Sequence, residues 1–189
     1  LALSVAFPNL PDISDLSDYR PKLPLRVFSA EGDLLGEFGE ERRNLTPIKE
    51  IPPVMANAVL AIEDARFYKH GGVDYIGVLR AGLANFGESR SQGASTITMQ
   101  VAKNYYLTPE RTLKRKLTEI FLARKIEQNL SKEEILTLYV NKIFLGKNAY
   151  GIAAAAKIYY NKSLDQLSIA QMAMISGLPK APSKYNPVV

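Results

Sequence analysis

Two adjacent carboxylates, Glu63 and Asp64, follow the run 54–62, which is apolar except at Asn57. The run begins after Pro52-Pro53, so Glu63 is predicted near the C-terminus of a buried helix. Three apolar residues share its side of that helix: Ala56, Val59 and Phe67. Burial and the negative end of the helix dipole both disfavour a charged carboxylate there, and the expected rise in the pKa of Glu63 suits a general base near neutral pH. The competing interpretation is a glutamate paired with a nearby Arg or Lys, since structural ion pairs also perturb pKa values.

The densest basic region of the chain lies downstream and comprises Lys103, Arg111, Lys114, Arg115, Lys116, Arg124 and Lys125. Most of it falls on a helix that Thr108-Pro109 is predicted to begin and that runs to about Asn129. Arg115 and Glu119 are spaced i, i+4 on this helix, so they can pair. Cations gathered near a carboxylate suit a multiply charged phosphate ligand. The alternative is an ordinary helix-stabilising pair, which contributes about 0.2–0.5 kcal/mol.

The same helix has apolar residues in two directions. One stripe comprises Leu113, Leu117, Ile120 and Phe121, whereas Leu122 and Ile126 lie on another side together with Arg115 and Glu119. Charged residues between apolar ones, on a helix covered from two directions, predict a polar cavity inside the fold.

A third segment, 93–100, joins a polar, Gly-bounded loop to a helix predicted from Thr96 to about Tyr105. Exposed N–H groups at a helix N-terminus can receive an anion or a sugar oxygen. Gln100 shares a helix face with Thr96 at i, i+4 and with Lys103 at i, i+3. A Ser-Thr pair at a helix start is commonly only a cap, and a lone histidine such as His70 is more often a hydrogen-bonded structural residue than a catalyst.

Composition narrows the classes of function. The 189 residues are 47% hydrophobic and 23% charged, which predicts one compact domain with a core. The absence of cysteine excludes disulfides and Cys-zinc sites, and the single histidine excludes a His-rich metal site. The formal charge of +5 fits an anionic partner such as a phosphate, a lipid headgroup or nucleic acid. No apolar stretch approaches the roughly 18–20 residues that span a bilayer.

The elements that must position these residues are mostly helical. Residues 8–24 hold four prolines and are predicted to be an irregular linker, and two short strands around 30–33 are predicted to form a β-hairpin. Asp74 is predicted to cap a helix that runs to about Phe86, and the run 152–159 is predicted to be an Ala-rich helix. Capping-box spacings at Ser131–Glu134 and Ser168–Gln171 predict two further helix starts. Helix ends are predicted at Gly146, Gly177 and Pro179. The fold class is therefore a mostly α domain with a small β appendage.

Four motifs occur in order along the chain: Glu63-Asp64-x-x-Phe67-x-x-His70-x-Gly72, Gly93-x-Ser95-Thr96-Ile97-Thr98-x-Gln100, Arg115-Lys116-x-x-Glu119 and Lys132-x-x-Ile135-Leu136-x-x-Tyr139-x-Asn141. Over about residues 50–183 they resemble the signature of the family 51 peptidoglycan glycosyltransferases. The segments 29–40 and 177–182 resemble the 1a type of class A, bifunctional penicillin-binding proteins. Met99 departs from the family pattern, which usually has a second glutamine there.

The resemblance implies that the domain polymerises lipid II by an inverting, single displacement of undecaprenyl pyrophosphate. Glu63 would take the proton of the acceptor's 4-hydroxyl, and Glu119 would orient basic side chains or hold a metal ion. The leaving pyrophosphate would meet Lys103, Arg111, Arg115 and Lys116. The cleft would be shaped by Asp64, Phe67, His70, Ser95, Thr96, Gln100 and Asn104. A divalent cation, magnesium or manganese, is implied, with no organic cofactor, and moenomycin is the expected inhibitor.

The implied fold is lysozyme-like and mainly α, with a smaller lobe set against the membrane. The implied divisions are a linker after a membrane anchor (1–24), the hairpin segment (25–45), the glycosyltransferase domain (46–183) and the start of a linker to a transpeptidase domain (184–189). The catalytic domain would lie at the periplasmic face of the inner membrane, and no nucleic acid is expected as a partner. The helix after Asp74 would touch lipid near Phe86, whereas Leu79 and Leu83 are expected in the core.

Two other functions stay open from the residues alone. A lysozyme-like glycan hydrolase also needs a buried glutamate. Its reaction releases no pyrophosphate, so the basic region from Lys103 to Lys116 argues against it. A non-catalytic basic module that binds anionic lipid or nucleic acid would leave the environment of Glu63 unexplained.

Overall fold

The computed structural model describes residues 10–13, 16, 25–38, 46–85, 93, 95–110 and 112–187. The strands are β1 (Leu25–Phe28) and β2 (Leu34–Phe38), and the helices are α1 (Pro53–Glu63), α2 (Tyr75–Asn85), α3 (Ile97–Tyr106), α4 (Leu113–Asn129), α5 (Lys132–Lys142), α6 (Ile152–Tyr160), α7 (Ile169–Gly177) and α8 (Pro182–Tyr185). The predicted mainly α class with a small hairpin near the N-terminus is confirmed. The predicted linker 1–24 and the loop 87–93 fall largely outside the described residues.

The hairpin is antiparallel, and Leu25 pairs with Phe38 at its open end. Ser29 closes the turn, because its hydroxyl accepts hydrogen bonds from the N–H groups of Glu31 and Asp33 at 3.2 and 3.1 Å. Gly32 has φ +92°, a backbone conformation that favours glycine. The predicted turn at 30–33 is therefore confirmed.

Side-chain caps fix where the helices begin. Thr96 caps α3 by accepting the Met99 N–H, and Ser168 caps α7 in a complete capping box with Gln171. Glu134 accepts hydrogen bonds from the N–H and hydroxyl of Ser131 at 2.7 Å, which confirms the capping-box prediction for α5. These hydrogen bonds lower the pKa of Glu134.

The predicted start of α4 is wrong. The helix begins at Leu113, where Thr112 accepts the Arg115 N–H at 3.1 Å, and not at Thr108-Pro109. Both threonines can cap a helix, and only the hydrogen bond decides between them. The helix therefore starts one turn later than predicted, after Thr108, Pro109 and Glu110.

Two compact units make up the chain. One comprises Leu1–Asp18 and Leu60–Tyr139, and the other comprises Tyr19–Val59 and Val140–Val189. In the first, α3 packs on α4. Met99 of α3, Ala123 of α4 and Val73, which precedes α2, form a buried apolar cluster there. In the second, Asn141 exchanges two 2.8 Å hydrogen bonds with the backbone of Thr46, and α6 packs on α7.

Burial differs from the sequence predictions at three places. Helix α1 is only partly buried, because Met55 and Val59 are covered whereas Val54 and Ile62 are each 49% exposed. On α4, Leu122, Ile126 and Glu119 are buried as predicted, but Leu113 and Leu117 are exposed, so the first turns are not covered from two directions. Leu79, expected in the core, is 66% exposed on α2; Leu83 and Phe86 lie outside the described side chains.

Within the described part of the chain, the helices are all too short or too polar to cross a bilayer.

Gly72 lets the segment before α2 approach α4 closely. Its φ is +92°, and a Cβ atom there would lie 2.9 Å from the carbonyl carbon and oxygen of Ala123. We expect Gly72→Ala to lower the free energy of unfolding by about 2 kcal/mol or more, because both the backbone strain and the overlap oppose the side chain. Gly71→Ala is the matched control, since nothing lies within 4 Å of a Cβ atom there. Urea unfolding of both variants measures the difference, and equal losses would contradict the assignment.

Asp74 directly precedes α2, where it was predicted to cap the helix, and its carbonyl oxygen accepts the Val78 N–H at 2.9 Å. Burial opposes its charge, but the hydrogen bond from the Gly77 N–H and the Arg66 guanidinium outweigh it and lower the pKa of Asp74. A lowered folded-state pKa stabilises the fold above the unfolded value of about 3.9 and is lost as pH falls through the folded value. The unfolding free energies of the native chain and Asp74→Asn should therefore differ most at neutral pH and converge below about pH 4. A difference that stays constant into acid would contradict this.

Candidate active site

Glu63 is the last residue of α1, and its carboxylate is half-buried. The side-chain amide of Gln100, on α3, donates a hydrogen bond of 2.7 Å to Glu63 Oε2. In the described part of the chain, Glu63 forms no ion pair with Lys or Arg, so the competing interpretation of a salt-bridged glutamate is not supported there. Glu63 is less buried than predicted, because the helix predicted to be buried is itself partly exposed. The carboxylate is oriented by a neutral donor and keeps acceptor capacity for a proton.

Tyr139 is a second neighbour of Glu63. It is fully buried on α5, and burial raises its pKa well above the usual range, an effect to which the Glu63 charge adds. Its hydroxyl is near the carboxylate, but it makes no hydrogen bond of regular geometry with any described residue. Sequence reasoning assigned Tyr139 no role, although the residue belongs to the fourth motif.

Glu119 is buried on α4 and holds two cations. Arg115 Nη1 donates to one of its oxygens at 2.6 Å, and Lys116 Nζ donates to the other at 2.5 Å. Its side chain is 3% exposed, whereas those of Arg115 and Lys116 are 17% and 38% exposed. The carboxylate is thus compensated inside the protein, and the two cationic groups extend from it toward solvent. The predicted Arg115–Glu119 pair is present, with Lys116 as a further partner.

The N-terminus of α3 ties these groups together. Lys116 Nζ also donates to Ser95 Oγ at 2.8 Å, five residues before the Gln100 that holds Glu63. Thr96 caps the helix and donates to the Gly72 carbonyl oxygen at 2.6 Å. Gln100 directly, and Ser95 through Lys116, therefore connect Glu63 and Glu119 to one helix end. Each of these contacts lies within the unit that includes Leu60–Tyr139.

Asp64 is buried and fixes the chain that follows Glu63. Its Oδ2 accepts the N–H of Ile97, the first residue of α3, at 3.0 Å, and its two oxygens lie 2.9 and 3.0 Å from His70 Nε2. The side chains of Asp64 and His70 are 4% and 5% exposed. Asp64 and His70 were predicted to shape the cleft. The contacts described for their side chains are with other buried groups of the protein. His70 Nδ1 is buried without a hydrogen-bond partner among the described residues.

Phe67 is buried in a short 3-10 turn, Phe67–Lys69, and lies under a cation. Lys132 Nζ is 4.3 Å from the Phe67 ring centroid, and it donates at 2.7 Å to both the His70 carbonyl oxygen and Glu127 Oε1. Glu127 Oε1 also accepts the Thr98 hydroxyl proton at 2.6 Å. Lys132 and Glu127 thus link His70 of the first motif to Thr98 of the second. Lys132 is in the fourth motif, whereas no sequence pattern pointed to Glu127.

The remaining predicted site residues are Lys103, Asn104 and Arg111. Lys103 is exposed and Asn104 half-buried on α3, one turn beyond Gln100, so Lys103 lies on the helix face of Gln100. Arg111 lies outside the described residues. Met99, where the family usually has glutamine, is buried in the cluster with Val73 and Ala123, so its side chain contributes to the core.

The described side chains do not form a metal cage. Both Glu119 oxygens are engaged by cations, and no group of three His, Cys, Asp or Glu side chains converges in the described part of the chain. A hard divalent ion takes six or more oxygen ligands, so the described side chains alone do not fit one. Magnesium or manganese stays a prediction.

Comparison with known proteins gives one family. A family model described as Transglycosylase matches residues 31–189. Penicillin-binding protein 1A of Neisseria gonorrhoeae is 54% identical over 190 residues, which cover all of this chain and 24% of that protein. Penicillin-binding protein 1A of Escherichia coli strain K12 is 53% identical over 182 residues, 96% of this chain and 21% of that protein. A crystal structure of penicillin-binding protein 1A from Haemophilus influenzae, 32% identical, covers 87% of this chain and 15% of its own with a TM-score of 0.44. The chain spans about a quarter of the length of the curated relatives it matches.

Asp64 supplies a direct test of the site's framework. Asp64→Ala should leave the Ile97 N–H and the His70 ring without their acceptor and lower the free energy of unfolding by about 2 kcal/mol or more. Asp165→Ala, which removes an exposed carboxylate, is the matched control and should change little. Chemical unfolding followed by circular dichroism compares them. If Asp64→Ala were as stable as the control, Asp64 would not be fixing α3.

Proposed function

We propose that this chain, which belongs to the transglycosylase family, family 51 of the glycosyltransferases, polymerises lipid II into β-1,4-linked glycan strands of the bacterial cell wall. The observation that supports this most is the contrast between its two site glutamates. Glu119 is buried between Arg115 and Lys116, whereas Glu63 accepts a hydrogen bond from the amide of Gln100 and pairs with no cation among the described residues. One carboxylate is compensated by cations and the other remains a proton acceptor, which is the division of roles that an acid-base reaction needs.

In the proposed reaction, the Glu63 carboxylate takes the proton from the acceptor sugar's 4-hydroxyl. The freed oxygen forms a bond to the anomeric carbon of the donor as the bond from that carbon to the pyrophosphate oxygen breaks. The electron pair leaves with undecaprenyl pyrophosphate. Attack on the face opposite the leaving group converts the α linkage to β, so one displacement suffices. Gln100 keeps the carboxylate oriented during the transfer.

The cations serve the leaving group. Negative charge grows on the pyrophosphate as the bond breaks, and fixed cations stabilise it because they need no reorganisation at that moment. Arg115 and Lys116 are held in place by Glu119, and Arg115 Nε is buried without a partner among the described residues. Lys103 and Arg111 are the further candidates. A divalent cation would add positive charge beside the pyrophosphate, but the described side chains alone do not supply its ligands.

The setting of the reaction is part of the same proposal. The substrate has a long lipid, so the catalytic domain would work at the periplasmic face of the inner membrane, with α2 toward the lipid. The full-length protein would include a transpeptidase domain, as the name penicillin-binding protein of its relatives suggests. Moenomycin would compete with the donor substrate.

A glycan hydrolase is the nearest alternative function. The substrate that is consumed distinguishes a hydrolase from a glycosyltransferase. Incubation with finished glycan strands should release no fragments, whereas incubation with lipid II should give polymer. Fragment release without polymer would favour the hydrolase. A binding module without activity would do neither.

Glu63 is the residue whose loss should stop the chemistry. Glu63→Gln keeps the size and a hydrogen-bonding group but cannot accept the proton, so polymerisation should slow by a factor of about 10² or more. Glu133→Gln, at an exposed position on α5, is the matched control and should retain the native rate. Gel analysis of labelled lipid II measures both rates, and circular dichroism verifies that both variants fold. Undiminished polymerisation by Glu63→Gln would refute the assignment.

A further inference from the structure

A cavity lies in the unit that includes Leu60–Tyr139, beside the segment that joins α1 to α2. It has a volume of about 310 Å³, and its lining includes residues of the segment 66–76 and Arg124 of α4. Of the predicted site residues, His70 lines it, whereas Glu63, Gln100 and Glu119 do not. The proposed reaction gives this cavity no role.

Positive charge dominates the cavity. Arg66, Lys69 and Arg124 line it, and Asp74 is the single acidic residue of its lining. Asp74 is already paired with Arg66, whose Nε lies 3.2 Å from the carboxylate. Lys69 and Arg124 are exposed and form no ion pair with a described residue. The cavity therefore has an excess of two positive charges.

The pairing with Asp74 also prepares Arg66. A guanidinium has five donors in a planar fork, and the contact with Asp74 uses the one on Nε. The terminal nitrogens keep their donors in a side chain whose orientation is already set. Two guanidinium groups and one ammonium group around a cavity match the several oxygens of a phosphate.

An apolar strip begins at the rim of the cavity. Tyr75 and Ile76 line the cavity and are 65% and 59% exposed, and Val78 and Leu79 continue along α2 with exposures of 44% and 66%. Residues three and four apart share a helix face, so these side chains form one surface. Contiguous exposed apolar surface of this kind marks a contact with a membrane or another molecule.

We infer that this cavity binds the phosphate group of an anionic phospholipid, with the lipid's acyl chains against the apolar strip of α2. The ligand must be anionic at one end to match Lys69 and Arg124, and apolar at the other to cover Tyr75, Ile76 and Leu79. A phosphodiester with attached hydrocarbon chains satisfies both requirements. Basic clusters on amphipathic helices and basic pockets between transmembrane helices both bind anionic lipid headgroups, so basic side chains beside an apolar helix face suit the same ligand.

The test compares two double variants of equal charge. Lys69→Gln with Arg124→Gln removes the unpaired cations of the cavity, and Lys157→Gln with Lys184→Gln removes two exposed cations elsewhere. Each lowers the formal charge from +5 to +3. Cosedimentation with vesicles of phosphatidylglycerol and phosphatidylcholine in equal parts should show binding at least about tenfold weaker for the cavity variant, and little change for the control. Equal loss in both variants would mean general charge attraction and overturn the inference.

A second arm identifies the source of the phosphate. Calorimetric titration should show that short-chain phosphatidylglycerol, below its micelle concentration, binds more tightly than inorganic phosphate, and that Leu79→Ser reduces this preference. Equal affinity for the two ligands would mean that the cavity binds phosphate alone and would overturn the lipid assignment. Because the readout is binding, the result is independent of whether the chain polymerises lipid II. Circular dichroism verifies that each variant folds.

Discussion

The N-terminus of α3 is the constraint on which the candidate site depends. Asp64 accepts the first N–H of the helix, Thr96 connects it to Gly72, Ser95 receives Lys116, and Gln100 reaches Glu63. Three separate stretches of chain, at residues 63–64, 72 and 116, are thereby fixed to residues 95–100. Gly72 is part of this arrangement, because only a residue without a side chain lets its segment lie against the α4 backbone. The site is rigid where it must align carboxylates and cations.

This arrangement gives the two site glutamates different chemistry. Burial of Glu119 is tolerated because Arg115 and Lys116 compensate its charge, whereas a buried and unpaired carboxylate would be costly. Glu63 is half-buried and accepts a hydrogen bond from a neutral amide, and no salt bridge with another described residue occupies its carboxylate. One residue type thus supplies both the proposed base, Glu63, and the carboxylate that holds two cations, Glu119.

Sequence patterns predicted the elements better than their burial. Capping residues such as Ser131 and Ser168 specify helix starts through local hydrogen bonds, so those starts were predictable. Thr108 and Thr112 were locally equivalent, and the start of α4 was therefore misplaced. Exposure of Leu79 and Leu113 depends on what packs against each helix, which periodicity does not reveal. Likewise, i, i+4 spacing predicted Arg115 with Glu119, but the 2.7 Å contact of Gln100 with Glu63 joins residues 37 positions apart and needed the fold.

Separate measurement of lipid II binding and of polymerisation by Glu63→Gln tests the central claim most directly. If Glu63 is the proton acceptor, Glu63→Gln should lower kcat while lipid II binds as tightly as to the native chain, because the amide keeps the size and hydrogen bonding of the side chain but cannot take the proton. The exposed-site variant Glu133→Gln should change neither quantity. A Glu63→Gln variant with native kcat and weakened lipid II binding would show that Glu63 serves binding alone and would contradict the account.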